Sequence, residues 1–240
     1  MESGLYVALS GQIALERRLD TIARNMANAS TAGYRADEVS FEAVIAGMRD
    51  PVAFASAGET FILRQPGALT QTGNPLDVAV DGDAWLGIAT PAGTAYTRDG
   101  RMRINPAGEL QTLNGYPVLD VGNAPILLDP NGGEVKIARD GMITQDGQQI
   151  GAIGLFRIEP AAGLARYDNS AVIPDIAAAP VLDFTANGIA QGFVEGSNVD
   201  PIRELTRLIM VSRTFEATAT AIADTESSLK DGIRTLGGRS

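Results

Sequence analysis

An apolar stripe runs along each end of the chain, and the two stripes limit the fold more than anything between them. Leu5, Ala8, Gln12, Leu15, Leu19, Ile22 and Met26 recur at alternating steps of three and four, and Leu9, Ile13, Ala23 and Ala27 widen the band. This is the period of about 3.5 residues that marks a coiled-coil seam. It predicts a helix over roughly residues 4–28, closed by the turn-forming run Asn28-Ala29-Ser30-Thr31-Ala32-Gly33. Gly33 is expected at a positive φ, where a β-branched residue is strained. At the other end Asp200 is a good N-cap and Pro201 suits the first helical position. Leu205, Leu208, Ser212, Phe215, Ala219, Ile222, Glu226 and Leu229 then step by three and four, with Ile233 and Leu236 in phase. The pair Asp231-Gly232 predicts a helix end near Lys230. Isolated helices are marginal in water, so each stripe needs a partner. The helices are expected to pair with each other or with copies from neighbouring chains.

Between the helices the texture changes. Asp81-Gly82, Asp99-Gly100, Asn114-Gly115, Asn131-Gly132, Asp140-Gly141, Asp146-Gly147 and Asn187-Gly188 are signals for tight turns. Short β-rich runs lie between them: Leu76–Val80, Trp85–Thr90, Thr94–Arg98, Arg101–Ile104, Pro117–Leu119, Glu134–Ala138 and Ile153–Ile158. The expected class is α+β, with a central all-β domain of short strands and hairpins and a coiled-coil-like pair of terminal helices. The layout reads as an N-terminal helix in 1–35, a connector over 36–74, a β domain over 75–190, a return segment over 191–200 and a C-terminal helix and tail over 201–240. The connector shows no strong period and is expected to be extended or loosely structured, with a strand possible at Thr60–Arg64.

Composition removes most chemistry. The chain of 240 residues has no His and no Cys. That excludes the usual general base, the commonest metal ligands, thiol nucleophiles and disulfides. No metal site and no cofactor are expected, and no Gly-rich phosphate loop with a Lys is present. The net charge of −10 disfavours nucleic acid and anionic lipid as partners. No run of about 18 apolar residues offers a membrane insertion. Met1-Glu2-Ser3-Gly4-Leu5 lacks a basic n-region and an apolar core, so no cleaved secretory signal is expected there.

Carboxylate, Lys or Tyr chemistry, or no chemistry at all, is what composition leaves, and the carboxylates are the candidates to weigh. Asp77, Asp81 and Asp83 alternate along one predicted strand and could face a hard cation, but Asp81-Gly82 reads more simply as a turn. Tyr96-Thr97-Arg98-Asp99-Gly100-Arg101 reads as a hairpin with a solvated rim. Glu195 and Asp200 flank Gly196-Ser197-Asn198, yet a glycosidase pair needs an aromatic cleft, and aromatic residues make up only 5% of the chain. No catalytic residue and no small-molecule substrate are assigned. A ligand-binding β domain with helical oligomerisation arms is the alternative of another class, and it would need an aromatic-lined pocket.

Five motifs in order carry a family resemblance. Asn25-Met26-Ala27-Asn28-Ala29-Ser30-Thr31-Ala32-Gly33-Tyr34-Arg35 closely resembles the N-terminal signature of bacterial flagellar axial proteins. Thr72-Gly73-Asn74-Pro75-Leu76-Asp77-Val78-Ala79-Val80-Asp81-Gly82 is similar to the pattern that opens the β domain of rod and hook proteins. Tyr96-Thr97-Arg98-Asp99-Gly100 and Gly115-Tyr116-Pro117-Val118-Leu119 continue it, and Gly196-Ser197-Asn198-Val199 with Arg213-Thr214-Phe215-Glu216-Ala217 resembles the C-terminal signature. Within the family, Leu5-Tyr6-Val7-Ala8-Leu9-Ser10 and the short connector resemble a proximal-rod member more than a distal-rod or hook-type one. Trp85-Leu86 stands where two phenylalanines are common, and Arg24 and Thr218 where Asn is common.

The resemblance implies a non-enzymatic subunit of the flagellar rod, which transmits torque around a central export channel. It implies export by the flagellar type III apparatus and a place in the periplasmic part of the basal body. Its partners would be copies of itself and the proximal and distal rod proteins. The assembly interface is expected at the seam positions Leu5, Leu15, Leu19, Ile22, Met26, Leu205, Leu208, Phe215, Ile222 and Leu229. The junction motifs add Asn28, Gly33, Tyr34 and Asn198.

Overall fold

The computed structural model describes residues 2–41, 43–46, 52–55 and 58–237. The chain forms two units: Met1–Ala27 with Asp37–Phe61 and Asp200–Ser240, and Asn28–Ala36 with Ile62–Val199.

The first unit holds both helices. Helix α1 runs Glu2–Ala27 and helix α2 runs Pro201–Gly237, and they lie against each other. Asp200 caps α2: its Oδ1 accepts from the amides of Ile202 at 3.0 Å and Arg203 at 3.1 Å. The helix passes through Gly232 instead of ending near Lys230. A single glycine costs a helix only about 1 kcal/mol, and Thr235 Oγ1 still donates to the Asp231 carbonyl one turn back. Thr206, Thr214, Thr218, Thr220 and Thr225 also return their hydroxyls to carbonyls four residues earlier. These hydroxyls are satisfied inside the helix and need neither water nor a partner. Ala14, Ile22 and Val211 are buried. Leu9, Ile13, Ile202, Leu205, Ile209 and Met210 remain exposed.

Residues 36–74 are more structured than the sequence led us to expect. Asp37–Ser40 pairs with Glu59–Ile62, the latter near the strand foreseen at Thr60–Arg64. Ala43–Ala46 pairs antiparallel with Val52–Ala55, with Val44 opposite Phe54. Runs of four residues are too short to build a readable period.

The second unit is built on a six-stranded antiparallel sheet. Its order is Leu164–Tyr167, Ala171–Pro174, Gly93–Thr97, Trp85–Thr90, Leu155–Arg157 and Ala179–Pro180. Successive side chains face opposite ways, as a pleated strand requires. Leu86 and Leu155 point into a large apolar cluster with Val78, Leu110, Val118 and Ile143. Their neighbours Trp85 and Phe156 enter a second cluster with Tyr96 and Val172. The strands at Leu110–Thr112, Met142–Gln145, Gln148–Ala152, Leu164–Tyr167 and Ala171–Pro174 were not among the predicted runs. Pro117–Leu119, which was, makes isolated bridges only.

The turn signals divide. Gly82, Gly115, Gly141 and Gly147 take positive φ. Asp146 at φ 52° and Gly147 at 77° form the tight turn between Met142–Gln145 and Gln148–Ala152. Gly100, Gly132 and Gly188 are not left-handed. Gly100 serves a close approach instead. Its carbonyl accepts from Val78 N at 2.9 Å, and a Cβ on it would stand 1.9 Å from Val78 O. Gly100→Ala should therefore destabilise the chain by about 2 kcal/mol or more. Gly151→Ala, whose Cβ would meet only Ile126 Cγ2 at 4.0 Å, should stay within about 0.5 kcal/mol. Urea unfolding of the full chain, followed by circular dichroism, checks the contrast; equal midpoints for the two variants would contradict it.

Candidate functional site

Three segments of the second unit meet around one buried carboxylate: 28–36, 62–67 and 193–199. Glu195 ends the strand Phe193–Glu195, which pairs with Leu69–Gln71 and sets Glu195 opposite Leu69. The side chain is 0% exposed. Its Oε1 lies 2.5 Å from Arg35 Nη1 and accepts from Gly67 N at 2.8 Å. Its Oε2 accepts from Arg98 Nε at 2.7 Å. Its main-chain oxygen accepts from Gly33 N at 2.8 Å. Arg98 also donates to the carbonyls of Gly82 and Ala84. The Trp85 ring sits 5.8 Å from the Arg35 guanidinium and 5.9 Å from that of Arg98, within cation–π range.

The electrostatics follow from burial. Arg35 and Arg98 are 2% and 3% exposed. Burial disfavours the charged form and pushes Arg98 below the ordinary arginine value, while the Glu195 charge opposes that shift. A shared carboxylate lets two guanidinium groups lie close together. Without it they would be two buried like charges.

Asn198 makes the second fastening. Its amide donates to Tyr34 O at 3.2 Å, its Oδ1 accepts from Ala36 N at 2.7 Å, and its Nδ2 donates to Gln65 O at 2.9 Å. Leu63 N bonds Ala36 O at 2.8 Å. Tyr34 is fully buried and packs with Ala36 and Val199. The Arg166 guanidinium lies 4.4 Å over its ring and donates to the Arg35 carbonyl. Gly33 has φ 66°, and a Cβ there would stand 2.2 Å from Asp99 N. The run Gly33-Tyr34-Arg35 thus supplies, in order, a left-handed close approach, a core ring and a ligand for Glu195.

The chain crosses between its two units at 27/28, 36/37, 61/62 and 199/200. On the β side of these crossings the segments are held by Glu195 and Asn198. Asn28 shapes the turn just after α1, accepting from Thr31 N and from Thr31 Oγ1, each at 3.1 Å. In the helical unit Asn25 and Asp37 exchange two hydrogen bonds, Asn25 Nδ2 to Asp37 O at 2.8 Å and Asp37 N to Asn25 Oδ1 at 2.9 Å. Arg24 pairs with Asp37 at 3.2 Å.

The expected interface residues are therefore placed unevenly. Gly33, Tyr34 and Asn198 come together, with Asn28 on the same segment. Of the seam, Ile22 is buried, Leu15, Leu19, Met26, Leu208, Phe215 and Ile222 are half-buried, and Leu205 is exposed. The side chains of Leu5 and Leu229 lie outside the described residues. Arg98 corrects one expectation: it belongs to no solvated rim but to the buried ion pairs, because the strand Gly93–Thr97 carries it under Trp85. Asp77 is held by Thr72 Oγ1 at 2.8 Å and Asn74 Nδ2 at 3.0 Å, and Asp81 pairs with Arg139 at 3.3 Å. The Arg35–Glu195–Arg98 cluster itself escaped the sequence reading. Its signal was an acid inside the apolar run Phe193-Val194-Glu195, where a strand buries alternate side chains.

Terminal helices that leave apolar side chains exposed, and a β unit whose entry and exit segments are tied by buried charge, describe a structural chain. Comparison with known proteins makes this specific. Residues 5–35 match the family described as flagella basal body rod protein. Residues 79–145 match the flagellar hook protein FlgE/F/G D1 domain, and residues 190–235 match the flagellar basal body rod FlgEFG protein C-terminal family. A flagellar basal-body rod protein FlgF of Mesorhizobium japonicum is 52% identical, covering 100% of both chains. One of Rhizobium meliloti is 48% identical, covering 99% of both. A flagellar basal-body rod protein FlgG of Bacillus subtilis is 30% identical over 96% of this chain and 98% of its own. The chain belongs to the flagellar basal-body rod protein family. It is a structural rod subunit of the flagellar basal body, and it stands nearer the FlgF relatives, as the proximal-rod resemblance implied.

Removing the shared carboxylate tests the junction. Glu195→Gln should destabilise the chain by about 3 kcal/mol, since it leaves two buried cations unneutralised. The triple change Arg35→Met, Glu195→Leu, Arg98→Met should recover most of that loss. Chemical denaturation of both variants measures it, and a triple variant weaker than Glu195→Gln would contradict the electrostatic origin.

Proposed function

We propose that α1 and α2 form the inner, coiled-coil-like layer of the rod around a central channel, with the β unit outside. Torque then passes through packed helices and through contacts between the β units of neighbouring subunits. The observation that supports this most directly is the apolar row that a single chain leaves exposed on its helices: Leu9 at 48%, Ile13 at 45%, Leu205 at 47%, Ile209 at 47% and Met210 at 65%. Apolar side chains exposed at one-turn spacing on both helices favour a partner. The half-buried seam residues Leu15, Leu19, Met26, Leu208, Phe215 and Ile222 complete their burial in the same step.

The partners are copies of this chain and the neighbouring proximal and distal rod proteins, and delivery is by the flagellar type III export apparatus. No catalytic step is assigned to the chain. The buried acids Glu195 and Asp37 are engaged in holding backbone and arginine side chains, which is structural work.

Leu208→Asp and Phe215→Asp should each abolish swimming and leave no rods on recovered basal bodies. A carboxylate forced into a helix seam costs several kcal/mol of assembly energy. The purified variants should keep the urea midpoint of the β unit, read from the Trp85 fluorescence. Normal swimming by either variant would remove that position from the seam.

A further inference from the structure

A cavity of about 200 Å³ opens in the β unit beside the buried ion pairs. Four arginines line it, Arg35, Arg64, Arg98 and Arg157, with Asp83 and Trp85. Glu195 neutralises part of this charge from behind, through Arg35 and Arg98. Arg64 is held by neutral groups, donating to the carbonyls of Ile158 at 3.1 Å and Ala162 at 2.8 Å. Arg64 and Arg157 form no ion pair among the described residues. Four guanidinium groups thus face two carboxylates, in a chain whose net charge is −10.

A second observation points the same way. Arg35 is 2% exposed, yet its Nε has no hydrogen-bond partner among the described residues. A buried cationic donor left unpaired is costly, and native structures satisfy such groups with protein, water or ligand. Guanidinium groups match the paired oxygens of carboxylates and phosphates better than any other side chain does. We propose that this cavity is an oxyanion site, which takes a carboxylate or phosphate-like group against Arg35, Arg64 and Arg157. The shared chemistry has two sources, a free small oxyanion or an acidic side chain of a neighbouring copy. Only the second source rests on the rod assignment.

Trp85 is the single tryptophan of the chain and lies on the cavity wall, so its emission reports occupancy. The full chain is titrated with inorganic phosphate at constant ionic strength, with chloride as the control. Separately, the chain is diluted stepwise with no anion added. A saturable change with phosphate and none with chloride is expected. Arg157→Gln should raise the half-saturating phosphate concentration about tenfold, with Arg157→Lys intermediate. Arg103→Gln, an exposed charge change away from the cavity, should leave it unchanged. A concentration-dependent change that Arg157→Gln abolishes assigns the carboxylate of a second copy as a further occupant. If chloride matches phosphate, if Arg103→Gln acts like Arg157→Gln, or if neither phosphate nor dilution moves the emission, the site is refuted.

Discussion

Glu195 is the group on which the β unit depends. A carboxylate taken wholly out of water is unfavourable alone, and a buried ion pair can cost more than it returns. Here each oxygen is used: one faces Arg35 and the Gly67 amide, the other Arg98. The same residue's carbonyl receives the Gly33 amide. Arg98 also donates to the carbonyls of Gly82 and Ala84, and the Trp85 ring lies near both guanidinium groups. Such an arrangement contributes specificity more than raw stability. An apolar core tolerates shifts in register, whereas a carboxylate held by three specific partners does not.

The position of that cluster in the chain gives it a mechanical meaning. The segments it joins are those through which the chain enters and leaves the β unit. Asn198 adds a second fastening across the same segments, to Tyr34, Ala36 and Gln65. Under the proposed torque-bearing role, the terminal segments must not peel from the β sheet that they enter. The buried ion pairs of Glu195 are screened less by salt than exposed salt bridges, which are weak.

The helices were readable because a heptad stripe over more than twenty residues is a strong periodic signal, and Asp200-Pro201 marks a start by its own chemistry. The terminal motifs carried the family. Three of the six strands of the long sheet, Gly93–Thr97, Trp85–Thr90 and Leu155–Arg157, were readable as β-rich runs. Leu164–Tyr167 and Ala171–Pro174 were missed because Asp168 supplies the positive φ of their turn without a glycine. The strands Asp37–Ser40, Ala43–Ala46 and Val52–Ala55 were missed because four-residue runs show no period. The end of α2 was placed too early because Asp-Gly was read by its turn preference alone, and a long helix outweighs one unfavourable residue. Arg98 was misread because a charged residue beside Asp99-Gly100 suggests solvent. Its burial depends on Glu195, about a hundred positions away, a pairing that no local pattern encodes.

The central claim is that Glu195 and Asn198 hold the junction as firmly as the core holds itself. Native-state hydrogen exchange of the full chain measures this amide by amide. The amides of Gly33, Ala36, Leu63 and Gly67 should exchange only through the global opening that releases Leu110 and Val118 of the apolar core. Their protection should then fall together with that of the core as denaturant is added. Exchange of the junction amides a hundredfold or more faster than the core, with little dependence on denaturant, would mean that the segments fray locally and would contradict the account.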